Sequence, residues 1–233
     1  MTIAAWFRSD DDTITGVICA VGDKDITDEF CLIEASGAVA GDPVSASYTG
    51  SGAPSTASTS TGFTAGTWHH AAGVFLSTAS RTAYIDGGSA VTETTAETAL
   101  ATVDSITVGV RPNATTNPFS GDIAEVGVWD VDLTAAEILS LSKGVSPLLI
   151  RPASLVFYAP MFGNADPEPD LIEGRSLTNT STTKSAHPRV LYPSRPMISM
   201  TPAAAPPAGV VGPLIGGRLI NNSMLVGGRL VGR

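Results

Sequence analysis

The chain has 233 residues, 15% of them charged, and a formal net charge of −9. That length accommodates one large core with appendages, and the abundance of Gly, Ser, Thr and Ala with short Val and Ile runs excludes a helical protein in favour of many short strands joined by turns. The charge is uneven: residues 1–150 hold 18 acids and 5 bases, a net −13, whereas residues 151–233 hold 4 acids and 8 bases, a net +4.

In chain order, residues 2–8 (TIAAWFR) are expected to form a first strand, and residues 16–22 and 29–35 a hairpin around GDKDITDE. Cys19 and Cys31 flank that loop. Two buried thiols and a strained cross-strand disulfide both fit their placement; a zinc site does not, since no His or further Cys lies nearby. Residues 44–48 read as a weak strand, and SGAPSTASTSTG (51–62) as a polar, mobile loop. Strands follow at 68–76 and 81–85, and Asp86-Gly87-Gly88 closes the second with a tight turn, because Asp and Gly tolerate positive φ. Further strands are expected at 90–92, 105–110 and 121–128.

Thr134-Ala135-Ala136-Glu137 is a capping box, with Leu133, Ile138 and Leu141 giving an apolar face and Lys143, Gly144 and Pro147 ending the turn. This predicts one short helix at the edge of a sandwich. Residues 151–193 regain β character in SLVFYAPMFGN, DLIEGRSLTNT and HPRVLYP; residues 194–213 are a Pro/Ala linker. The last residues repeat IGGRLI and VGGRLV.

Four segments resemble the laminin-G-like, concanavalin-A-like lectin sandwiches: TIAAWFRSDD as the opening strand, TWHHAAGVF as a Trp-His-His strand, RTAYIDGGSA as a Tyr-Ile-Asp-Gly hairpin, and FSGDIAEVGVWDVDLTAAEI as the closing strand and small helix. The resemblance implies an all-β jelly-roll β-sandwich of two antiparallel sheets with one short helix. In that family a segment similar to LVFYAPMFGN…DLIEGRSLTN precedes the opening strand. Here it lies at 155–179, so the order looks circularly permuted. The expected organisation is a sandwich at 1–150, completing strands at 151–193, supplied within the chain or swapped into a neighbour, and an extended C-terminal tail at 194–233.

Trp6, Trp68 and Trp129 are expected to pack in the core or at its edge, with sugar stacking the competing role. His69 and His70 are adjacent on a strand and face opposite sides, one inward. The paired carboxylates that glucanases of this fold place on one strand have no counterpart. Asp10-Asp11-Asp12 lies in a turn, Glu93 and Glu97 sit in a polar loop, and Asp130 and Asp132 suit a helix entry. No nucleophile elbow or phosphate loop is present. No catalytic, metal or cofactor residues are therefore assigned. Calcium at Asp10–Asp12 or Asp23–Asp28 competes with plain solvated acidic turns.

From Arg175 onward there are seven bases and no acid. Such a tail fits docking on an acidic surface, with simple solvation the alternative; its bases are spaced, which disfavours nucleic acid. Gly216, Gly217, Arg218, Leu219, Ile220, Gly227, Gly228, Arg229 and Leu230 can add short strands to an exposed sheet edge of another subunit. The N-terminus lacks signal-peptide character, and VSPLLIRPASLVFYAPMF is broken by Arg151 and three prolines, so neither secretion nor a membrane span is expected. The tail is similar in style to those of bacteriophage structural proteins. The expected function is that of a non-enzymatic virion structural or decoration protein, made in the host cytoplasm, with other virion proteins and itself as partners. The alternative is an adhesin binding host surface glycan.

Overall fold

The structure is a computed structural model describing residues 1–11, 13, 15–25, 30–37, 41, 43–50, 52–112, 117–163, 165–178, 182–193, 214–215 and 218–219, with the backbone alone for 30–32, 34 and the last four. Met1–Pro193 is one compact unit and Ser194–Arg233 another. The strands of the first are β1 (Thr2–Ser9), β2 (Thr15–Gly22), β3 (Phe30–Ser36), β4 (Pro43–Thr49), β5 (Ser55–Gly62), β6 (His69–Ser77), β7 (Ser80–Ile85), β8 (Gly88–Glu93), β9 (Ser105–Val108), β10 (Gly121–Trp129), β11 (Leu155–Ala159), β12 (Glu168–Pro169) and β13 (Ser176–Leu177). A six-stranded sheet runs β11-β10-β1-β6-β7-β8 and a five-stranded sheet β5-β4-β3-β2-β9. Every pairing within both is antiparallel. This is the expected two-sheet, all-β sandwich.

Strand alternation builds the core between the sheets. Ile3, Ala5 and Phe7 of β1 point inward with Ile18, Ile33, Val44, Ala71, Phe75, Val126, Val128 and Phe157. Phe7 anchors the aromatic part, meeting Phe63 edge-on at 5.4 Å and Phe119 at 6.1 Å. The alternate residues of the six-stranded sheet face outward and are also buried. Ala4, Ala72, Val74 and Tyr158 pack there with Trp129, Leu133, Ile138 and Leu141. The helix α1 (Ala135–Ser142) thus lies across the outer face of this sheet, not at its edge. Its capping box is formed as expected: Thr134 accepts from the Glu137 N–H and the Glu137 carboxylate accepts from the Thr134 N–H. Trp129 covers Gly127, where an added Cβ would stand 2.6 Å from the indole, and donates from Nε1 to the Ile150 carbonyl at 2.8 Å.

The turn at Asp86-Gly87 forms with φ values of 50° and 76°, both in the left-handed region that a two-residue hairpin of this kind requires. His70 is buried and His69 lies at the inner rim, the split expected of neighbours on a strand. His69 Nδ1 stands 2.8 Å from the Asp86 carboxylate. The buried histidine departs from expectation in two respects: His70 shares the outer face with Trp6 while His69 shares the inner face with Phe7, and Nδ1 of His70 is buried without a partner, burial lowering its pKa to about 4 despite nearby Asp86.

The expected loop at 51–62 is instead largely a strand. Residues 55–62 form β5, the edge of the five-stranded sheet. Its alternation is written in small polar residues, so apolar contrast is missing from the sequence. Hydroxyl pairs hold it: Ser45 with Ser58 at 2.9 Å and Ser47 with Thr56 at 2.7 Å, while Thr59 accepts from the Val44 N–H. Cys19 is a buried free thiol whose pKa burial pushes up to about 12; the side chain of Cys31 lies outside the described residues.

β11 follows α1 in the chain and pairs with β10 of the same chain. Asp170, 1% exposed, fastens the next turn to it, accepting from the N–H groups of Tyr158, Ile172 and Glu173. In the second unit, β14 (Leu214–Ile215) pairs antiparallel with β15 (Arg218–Leu219). Of the proposed tail residues, Arg218 and Leu219 fall in this ladder; Gly216, Gly217, Ile220, Gly227, Gly228, Arg229 and Leu230 lie outside the described residues. Among the described residues no helix is long and apolar enough to cross a membrane.

Candidate functional site

The two sheets part at one side of the sandwich, where β9 ends the five-stranded sheet and β10 and β11 end the six-stranded one. Residues 161–163, 165–178 and 182–187 lie across this opening and leave a groove of about 1080 Å³. Its floor is apolar: Ile106, Val108, Phe119, Ile123, Met161 and Leu177 line it and pack against the inter-sheet core. Its rim is polar, with Ser120, Asp122, Glu168, Ser176 and Ser185 contributing. An apolar concavity with a few convergent polar groups is what a small-molecule or glycan site requires.

One aromatic side chain stands at this rim. Trp68 is half-buried and lines the groove. The Arg8 guanidinium lies over its ring, 5.5 Å from the centroid. Arg8 is itself fixed by Asp122, donating from Nε at 2.8 Å, and by Ser185 at 3.0 Å. The indole is therefore held in place before any ligand arrives, which lowers the ordering cost of binding.

A buried carboxylate of the groove lining, Glu168, and one behind its wall at His187, Glu125, differ in their surroundings. Glu168, on β12, is 4% exposed, and its Oε1 is buried with no hydrogen-bond partner. Glu125, on β10, is 2% exposed and well supplied with donors. Its position follows from a β-bulge: between Ala4↔Gly127 and Trp6↔Ala124, two residues of β10 oppose one of β1, and Glu125 takes a φ of 55°. The Tyr158 hydroxyl donates to Oε2 at 2.8 Å, the Tyr192 hydroxyl donates to Oε1, and His187 Nε2 lies 3.1 Å from Oε1. Burial and the adjoining Glu125 carboxylate push both tyrosines well above the ordinary phenol range.

His187 has an acceptor at each ring nitrogen, with the Pro188 carbonyl at Nδ1 (2.8 Å) and the Pro160 carbonyl at Nε2 (2.9 Å). Only the imidazolium can donate to both. Burial works against that charge, but the hydrogen bonds to Glu125, Pro160 and Pro188 outweigh it and raise the pKa above the ordinary value. His187 thereby pins one wall of the groove to the sheet.

The three tryptophans separate by role. Trp129 is core, Trp6 packs edge-on against His70 at 5.6 Å, and Trp68 alone of the three lines the groove. Asp23, Asp25 and Asp104 converge, their carboxylate oxygens within 4.8 Å of one another. The Lys24 ammonium pairs with two of the three, 2.6 Å from Asp25 and 3.0 Å from Asp104. Asp10 and Asp11 are not part of it, and Asp12 lies outside the described residues. Asp130 and Asp132 are exposed beside the helix entry, and Glu93 accepts from the Thr94 and Thr95 N–H groups.

Sequence reasoning singled out none of Asp122, Glu125, Glu168 or His187. A signal existed for Glu125, a lone acid in the apolar strand IAEVGVW. None existed for Glu168, whose burial depends on how the 161–187 segment closes over the sheets.

The sequence matches the family model of the concanavalin A-like lectin/glucanases superfamily over residues 1–139, and the chain belongs to that family. Among solved structures it is similar to CBM40 of the Ruminococcus gnavus IT-sialidase bound to α2,3-sialyllactose, with a TM-score of 0.49 and 16% identity, covering 60% of this chain and 81% of that one. It is also similar to the heptameric SAP-like pentraxin of Limulus polyphemus (TM-score 0.49, 13% identity, 60% and 68% covered). A third is the enzymatically active domain of bacteriophage CBA120 tailspike protein 2 (TM-score 0.49, 14% identity, 69% of this chain and 26% of that one). Compared with curated proteins, the sequence has no significant match.

Proposed function

We propose that this chain is a glycan-binding module without catalytic activity, with its ligand in the groove between β9, β10 and the 161–187 segment. The observation that carries the reading is the pre-set Trp68 indole above an apolar floor with hydroxyls and carboxylates around it. Sugars offer an apolar ring face and a fringe of hydroxyls, and that rim meets both. Hydrolysis would need two free carboxyl groups flanking the glycosidic bond, about 5–9 Å apart. Of the acids among the described lining residues, Asp122 is tied to Arg8 and Glu168 is 4% exposed, which leaves Asp166 as the one exposed at the rim, and the reading needs no metal or cofactor.

The setting we propose for the module is a virion surface, reached through assembly in the host cytoplasm. The acid-free stretch from Arg175 and the repeated GGRL segments would tie the tail to other virion proteins and to further copies of this chain. Light scattering on the full chain and on a chain ending at Pro193 tests this: a defined oligomer for the first and a folded monomer for the second is expected, and two monomers would overturn tail-driven self-assembly.

A glycan array followed by calorimetry on the best hit tests the binding itself. The substitution W68A is expected to weaken binding by about tenfold or more, as loss of a central aromatic does. Undiminished binding by a folded W68A variant would remove the groove as the site.

A further inference from the structure

A buried carboxylate oxygen without a hydrogen-bond donor is costly, and native proteins rarely keep one without a use. Glu168 is 4% exposed, lines the groove and leaves Oε1 in that condition. The neighbouring buried acids are satisfied: Asp170 takes three backbone N–H groups and Glu125 takes Tyr158, Tyr192 and His187. The fold therefore has the means to satisfy a buried acid, and at Glu168, a residue of the groove lining, it leaves one buried oxygen without a donor.

The cations around the groove sharpen what that donor is. Arg8 is committed to Asp122 and Ser185, and His187 to Glu125 and two carbonyls. The remaining cation of the lining, Lys184, also has an interaction of its own. Asp166, exposed at the rim, adds a further acid beside Glu168. A carboxylated sugar would meet these acids with no uncommitted cation among the described lining residues to receive it.

We propose that Glu168 forms a subsite for the ammonium group of an amino sugar. This rests on the glycan-binding reading of the groove and names the ligand's class. The ammonium fits on two counts: it supplies N–H donors to the orphaned oxygen, and its positive charge suits an acidic side chain better than a neutral donor does. A hydroxyl or amide in its place supplies the donor without the charge.

The experiment is calorimetry of the full chain with three oligosaccharides of equal length: chitosan, the fully N-acetylated chitin counterpart, and oligogalacturonate. It is run at high salt, because a chain of net charge −9 attracts any polycation. Chitosan is expected to bind best, chitin at least about tenfold more weakly through loss of the charge-assisted bond, and oligogalacturonate not measurably. The isosteric E168Q variant should weaken chitosan by at least about tenfold and chitin by less, narrowing the gap between them, whereas W68A should weaken both. Melting of the E168Q variant separates a ligand role from a structural one: a transition unchanged or raised fits an acid kept for ligand, and a lowered one overturns the subsite. Equal binding of chitosan and chitin, or indifference of chitosan to E168Q, also overturns it. If another glycan binds in a Trp68-dependent way and chitosan does not, the ammonium subsite falls and the groove stands. If no glycan on an array binds, both fall.

Discussion

Glu125 and Glu168 are two buried carboxylates of one sandwich, the first behind the groove wall at His187 and the second in the groove lining, and they are handled in opposite ways. Glu125 sits in a β-bulge with two phenols and an imidazole around it. Glu168 sits on a two-residue strand with one oxygen orphaned. Burial alone does not tell a structural acid from a functional one; the donor inventory does. The first joins three segments, β10, β11 and the chain near 187–192, and so closes the fold. The second belongs to the groove lining and has one buried oxygen with no donor.

The largest consequence concerns Glu125. Replacing it with Ala removes the acceptor shared by Tyr158, Tyr192 and His187 and leaves buried donors behind. A loss of about 3–5 kcal/mol in urea unfolding is expected, the range for breaking a buried charge pair at one partner. Unfolding of the E125A variant within about 1 kcal/mol of the parent would mean the cluster is incidental, since that is the size of a typical single substitution.

Two buried or half-buried histidines give the pH dependence of stability opposite senses. His187 has its pKa raised in the folded state. Its contribution is therefore fully present below the unfolded value of about 6.5 and is lost as pH rises through the higher folded value. Melting temperature should decline over that window, and H187Q should flatten the decline. A profile that rises there instead, or one that H187Q leaves intact, would assign the dependence to other groups. His70 acts in the opposite sense: its pKa is lowered to about 4 by burial. The stability it contributes is present above 6.5 and is lost as pH falls through the folded value.

How much of this could be read from the chain follows the same division. The Trp-His-His strand, the Asp86-Gly87 turn and the Thr134 to Glu137 capping box were legible because each is local: a few consecutive residues carry the whole physical cause. β5 was not, because STASTSTG alternates one small polar residue with another and its order comes from hydroxyl pairs across to β4. The groove was not legible either. Trp68, Asp122, Glu168 and His187 are far apart in sequence and meet only once the sheets part and the 161–187 segment crosses the gap. Glu125 announces itself as an acid in an apolar strand, but the bulge that turns it toward Tyr158 is set by register.

The smallest effect expected is also the most discriminating. If Glu168 is kept for a ligand, its removal should cost the free protein nothing. A buried acid lacking a donor carries an unrecovered desolvation cost, so an apolar residue of similar size is expected to be neutral or stabilising. E168L should therefore melt at or slightly above the parent, by roughly 0–1 kcal/mol in equivalent terms, where E125A loses several. The two variants remove the same chemical group at nearly the same burial, so solvent exposure cancels in the comparison, and E125L in place of E125A makes side-chain size cancel as well. What remains is the number of donors each carboxylate had. Opposite signs in the two melts would establish that the fold depends on one acid and tolerates the other. A loss at Glu168 matching that at Glu125 would mean a donor reaches it in the folded chain, and the groove would then have no vacancy for a ligand at that point.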